Sequence, residues 1–86
     1  MPTIEQRRNL EELAGLGEEV FNRRVRPALR PEDDDKFVAI DVTTGEYEVD
    51  EDDYAAVSRL RARQPAADVW LMRVGHRAAY RIGEAR

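Results

Sequence analysis

The chain has 86 residues, a net charge of −4, 37% charged residues and no cysteine. That length suits one domain rather than two, and its stability must come from an apolar core without disulfide staples or cysteine-held metal. The acidic balance argues against a dedicated nucleic-acid binder, and no apolar run approaches the ~20 residues a membrane span needs.

Met1 to Arg8 has basic residues but no apolar run behind them, so it does not read as a secretory signal. Together with the missing cysteines, this predicts a cytoplasmic protein. Thr3-Ile4-Glu5-Gln6 reads as a capping box that opens a helix. Leu10, Leu13 and Leu16 then recur on one face. Gly15 and Gly17 each cost a helix about 1 kcal/mol relative to alanine, so a break is predicted there. A second helical segment follows from about Gly17, with Val20, Phe21 and Val25 as its apolar stripe. Pro27 disfavours helical geometry at Arg26 and should end it. This gives an N-terminal helical arm over about residues 3–26.

Pro27 to Pro31 is a stiff connector, and Glu32 to Asp35 a solvated turn. Lys36-Phe37-Val38-Ala39-Ile40-Asp41-Val42 is the clearest strand. It is apolar nearly throughout, which predicts a central strand covered on at least one face. Thr43 to Glu46 supplies a glycine-bearing turn, and Glu46 to Asp50 alternates polar and apolar, so the two strands should form a hairpin.

Asp50 is a plausible N-cap for a helix running to about Arg63, with Glu51, Asp52 and Asp53 facing the positive end of its dipole. Tyr54, Val57 and Leu60 would be its buried side, and Arg59, Arg61 and Arg63 its cationic end. Pro65 stops it. Val69 to Val74 and Arg77 to Ile82 are strands joined by a tight turn at Gly75-His76. The predicted fold is α+β: helix, hairpin, helix, hairpin, with a four-stranded, mainly antiparallel sheet in two layers with its helices.

Chemistry-bearing residues are sparse. Asp41, Asp50 and Asp53 have the oxygen ligands of a divalent-cation site, as in a metal-dependent hydrolase or nuclease. Capping and turn formation explain the same residues. Asp33 to Asp35 lacks the alternation of a calcium loop. His76 has no serine or cysteine beside it to activate. No glycine-rich phosphate loop or zinc signature is present, and no cofactor is expected.

Two surface features point to binding. Arg23, Arg24 and Arg26 at the helix end suit an acidic protein surface or phosphate, or are simply solvated. Trp70 and Met72 share one side of their strand, while Val69 and Leu71 share the other. Either the N-terminal helix covers the Trp70 side, or that side is a binding patch. The reading is a non-enzymatic interaction domain whose partner is another protein or a second copy of the chain.

Glu19-Val20-Phe21-Asn22-Arg23-Arg24-Val25-Arg26-Pro27, the strand Lys36 to Val42, the turn Thr43 to Asp50 and the segment Trp70 to Gly75 resemble a family of small uncharacterised bacterial proteins. The pattern is an arginine-proline helix end, a KFVAID strand and a tryptophan-bearing hairpin. The resemblance implies a gene lying beside a second small gene, including retropepsin-like proteases, in an arrangement similar to toxin–antitoxin pairs. It implies a binding role and carries over no catalytic residue.

Overall fold

Asn9 starts the first helix. Its Oδ1 accepts the Glu12 N–H at 2.7 Å, and the Glu12 carboxylate accepts the Asn9 N–H at 3.3 Å. This reciprocal box satisfies two donors that a helix start otherwise leaves bare. The computed structural model describes residues 9–75 and the backbone of 79–81. The box expected at Thr3 and Gln6, and the turn histidine His76, lie outside the described residues.

Helix α1 runs Leu10–Val20 without interruption through Gly15 and Gly17. The expected break therefore does not occur. Gly17 is kept small for a different reason: a Cβ there would fall 2.6 Å from Cγ of Trp70 and 2.9 Å from its Nε1. The helix backbone rests directly on the indole. The irregularity comes later, as a π-helical turn over Phe21–Val25 followed by a 3-10 turn over Arg26–Ala28. The Arg26 N–H bonds the Phe21 carbonyl, and Arg26 stays helical (φ −55°, ψ −43°) despite the proline after it. Proline in a regular α-helix collides with the carbonyl four residues back. A widened turn just before Pro27 gives its ring room, so the chain loosens rather than stops.

Strands β1 Phe37–Asp41, β2 Tyr47–Asp50 and β3 Val69–Arg73 form an antiparallel sheet with β1 in the middle. The registers set Ile40 opposite Tyr47 on one side and opposite Trp70 on the other. The backbone of β4, Ala79–Arg81, runs antiparallel beside β3, with Leu71 opposite Tyr80. Its connection through 76–78 lies outside the described residues. Helix α2 spans Asp53–Arg63.

The expectation of two layers is corrected to three. Val38, Ile40, Val42 and Trp70 pack against Leu13, Phe21 and Val25 on one side. Ala39, Val69 and Leu71 pack against Ala56, Val57 and Leu60 of α2 on the other. The unbroken apolar run from Phe37 to Ile40 suits a sheet covered on both faces. The N-terminal helical segment is thus docked on the sheet. Two apolar residues placed inside by spacing lie outside: Leu10 is 59% and Tyr54 77% exposed. The N-cap of α2 is Asp52, which accepts the Ala55 N–H at 3.0 Å. Asp50, expected in that role, remains in β2 and accepts the Asp52 N–H at 2.8 Å.

Candidate functional site: a groove beside the N-terminal helix

The widened turn has a local effect on the surface. It leaves a groove of about 480 Å³ between the end of α1 and the end of β3, lined by Glu18, Phe21, Asn22, Arg26, Leu29, Met72 and Val74. That volume lies in the range of small-ligand and side-chain pockets. Phe21, Leu29, Met72 and Val74 make its apolar surface. Met72 and Val74 face this side because they share the parity of Trp70 along the strand. The Arg26 guanidinium stands 5.5 Å from the centre of the Phe21 ring, a cation–π contact. Arg73 also borders the groove. Its guanidinium, however, lies 5.0 Å from the Phe37 ring, and its Nε donates to the Asp35 carbonyl at 3.2 Å. By strand alternation its side chain belongs to the α2 face of the sheet.

The residues singled out from sequence divide accordingly. Arg26 and Met72 meet at the groove. Arg23 is turned to a 3.5 Å ion pair with Glu19. Arg24 lies over the turn at Gly45, where an added Cβ would meet its Nη1 at 3.1 Å. Trp70 is only 5% exposed, covered by Gly17 and α1. It lies against α1 at Gly17 and offers almost no contact surface. Its Nε1 has no hydrogen-bond partner among the described residues. Of the two readings of the Trp70 face, coverage by the N-terminal helix is the one observed.

The aspartates do not assemble. Asp41 lies at the end of β1 next to the turn, whereas Asp50 pairs with Phe37 at the opposite end. Four residues of strand separate those positions, roughly 13 Å. Asp41 is 2% exposed, and its carboxylate accepts from Thr43 N at 3.0 Å, Thr44 Oγ1 at 3.0 Å and Asp68 N at 3.3 Å. It ties the β1–β2 turn to the loop before β3. Asp53 sits in the first turn of α2. The metal alternative resting on Asp41, Asp50 and Asp53 therefore lacks convergence, and no group of three or more metal-ligating side chains occurs among the described residues.

A charged assembly that sequence reasoning missed lies along β2. Arg59 Nε donates to Glu48 at 3.0 Å, its Nη1 to Asp50 at 2.7 Å and its Nη2 to the Val49 carbonyl at 2.9 Å. Arg63 repeats the pattern one helical turn on, with Glu46, with Glu48 at 3.0 Å and with the Tyr47 carbonyl at 3.0 Å. Four residues of helix rise about 6 Å and two of strand about 6.8 Å, so the arginines match the alternate acids. The Arg59 guanidinium, then the Asp52 amide, hold the Asp50 carboxyl below its ordinary range. Asp50 and Glu48 raise Arg59, and Glu46 raises Arg63. The signal was present as acids at 46, 48 and 50 and arginines at 59 and 63.

Comparison with models of known protein families, with curated proteins and with solved structures gives no match. No helix among the described residues is long and apolar enough to cross a membrane.

Proposed function

We propose that this chain is a non-enzymatic interaction domain that holds a protein partner in the groove beside α1. The observation that carries this reading is the groove whose wall holds half-buried Leu29, Met72 and Val74, floored by the buried Phe21 ring and bordered by the exposed Arg26 guanidinium. Methionine and aromatic surfaces with an adjacent arginine suit protein recognition, because they combine adaptable packing with a directional charge. In this reading the sheet has four strands, with β4 as its second edge, and the protein is cytoplasmic. The partner is the product of a neighbouring gene, and the chain is the accessory or antitoxin-like half of the pair.

The test is co-elution of the chain with the product of the adjacent gene. Met72→Asp places a charge on the groove surface and is expected to abolish the complex. Arg61→Ala, on an exposed position of α2, is expected to leave it intact. A complex indifferent to Met72→Asp would remove the groove from the interface, and no complex at all would count against the reading as a whole.

A further inference from the structure

We propose that the groove takes an extended partner segment of about four residues, apolar in its middle, with a carboxylate at the Arg26 end and a basic group at the Glu18 end. This rests on the reading of the groove as the docking site and specifies what docks there.

The argument starts from the two charges on its wall. Glu18 and Arg26 both border the groove and are both exposed. Eight residues of helical chain separate them, five of them in the π-helical turn, a rise of at most roughly 12 Å. An extended chain advances about 3.3 Å per residue, so about four residues span that distance. The same groove is lined by buried Phe21 and half-buried Met72.

Arg26 is also uncommitted. Arg23, Arg30, Arg59 and Arg63 each have a carboxylate partner. Among the described residues Arg26 has none, and neither does Glu18. The described contact of Arg26 is the Phe21 ring, which orients the guanidinium without consuming its donors. A planar fork held in this way matches a carboxylate bidentately. A nucleic-acid strand fits the arginine alone: Glu18 and the net charge of −4 both repel a run of phosphates.

The test uses the full chain and two capped tetrapeptides, Lys-Leu-Leu-Asp and its neutral counterpart Gln-Leu-Leu-Asn. Binding is read from NMR shifts of the Met72 methyl and the Arg26 Nε–H. The charged peptide is expected to move both signals and to bind on the order of tenfold more tightly than the neutral one, the worth of one charge-assisted contact. Arg26→Gln and Glu18→Gln are each expected to reduce that difference, and the double variant to abolish it. Because both positions are exposed, the variants should stay folded, which an unchanged thermal midpoint would verify. Equal binding of the two peptides, a preference undiminished by Arg26→Gln, or one that survives in the double variant, overturns the proposal. So does an RNA oligonucleotide that shifts Arg26 where the charged peptide does not. If Met72→Asp still abolishes the partner complex while the peptides show no charge preference, the groove remains the docking site and only the proposed segment chemistry is lost.

Discussion

Arg63 reaches from the last turn of α2 to bond the backbone carbonyl of Tyr47 at 3.0 Å. Arg59 does the same for Val49. Because Asp41 N–H bonds the Glu46 carbonyl, strand alternation turns the backbone of Glu46, Glu48 and Asp50 towards β1 and that of Tyr47 and Val49 towards the open edge. The two arginines thus cap the acceptors of an exposed strand edge while their forks pair its acids. Open edges are templates for pairing with another chain, and charge placed there prevents it.

Removing the caps with Arg59→Ala/Arg63→Ala is therefore expected to lower the thermal midpoint and to free the edge. Glu46, Glu48 and Asp50 would then face like charges on any second copy. Self-association should accordingly grow with added salt, which screens that repulsion. Light scattering reads the molar mass. Val49→Pro in the same background deletes an outward N–H without touching the pairing to β1, and is expected to restore the monomer. A double variant that stays monomeric at high salt would show that the arginines guard nothing.

The two glycines of α1 should respond to alanine with opposite signs. A Cβ at Gly15 meets nothing within 4 Å. Gly15→Ala is expected to stabilise the fold by about 1 kcal/mol, from helix propensity alone. Gly17→Ala drives a methyl into the Trp70 indole and is expected to cost roughly 1–3 kcal/mol by overpacking. Denaturant titration measures both. A stabilising Gly17→Ala would mean that α1 shifts on the sheet without penalty.

Asp41 is expected to act as a structural tie. Asp41→Ala removes a buried carboxylate that accepts from the Thr43 and Asp68 N–H groups and the Thr44 hydroxyl, and should cost about 1–3 kcal/mol. Asp41→Asn keeps one acceptor oxygen and should cost less. Equal stability of Asp41→Ala and the parent chain would refute the assignment.

Acid should weaken the fold through two aspartates. Arg59 holds Asp50 below the ordinary value, and the Lys36 ammonium, then the Arg30 amide, hold Asp33 below it. Each carboxyl binds its proton less readily folded than unfolded. The stability it contributes is complete above the ordinary value of about 4 and is lost as the pH falls through the lowered folded value. Lys36 is raised by Asp33, so its share is complete below about 10.4 and is lost as the pH rises through the raised value. A melting series against pH should show both limbs. Asp50→Asn should flatten the acid limb, and an unchanged limb would assign it to other groups.

Much of the architecture could be read from local pattern. The continuous apolar run at Val38, Ala39 and Ile40 marked a central strand, and alternation at Glu46 to Asp50 marked its partner. Spacing alone misplaced residues whose fate depends on distant neighbours. Tyr54 has the periodicity of the core face, yet α2 buries Ala56 instead. Gly17 looked like a breaker because its value lies in the approach of Trp70, more than fifty residues away in the chain. The groove was half visible. Arg26 and Met72 were both noted, but their meeting depends on a π-helical turn that no periodicity announces. The link from α2 to β2 escaped notice because acids and arginines on separate elements each have an adequate local explanation in dipole and solvation.

The chain contains one tryptophan, and it lies directly under Gly17. Its indole emission therefore reports the seating of α1 on the sheet. If α1 lifts away while α2 stays docked through Val57 and Leu60, the emission should move to the red before the helical dichroism is lost. The protein thus carries an intrinsic optical probe of whether the element that walls the groove detaches ahead of the rest of the fold.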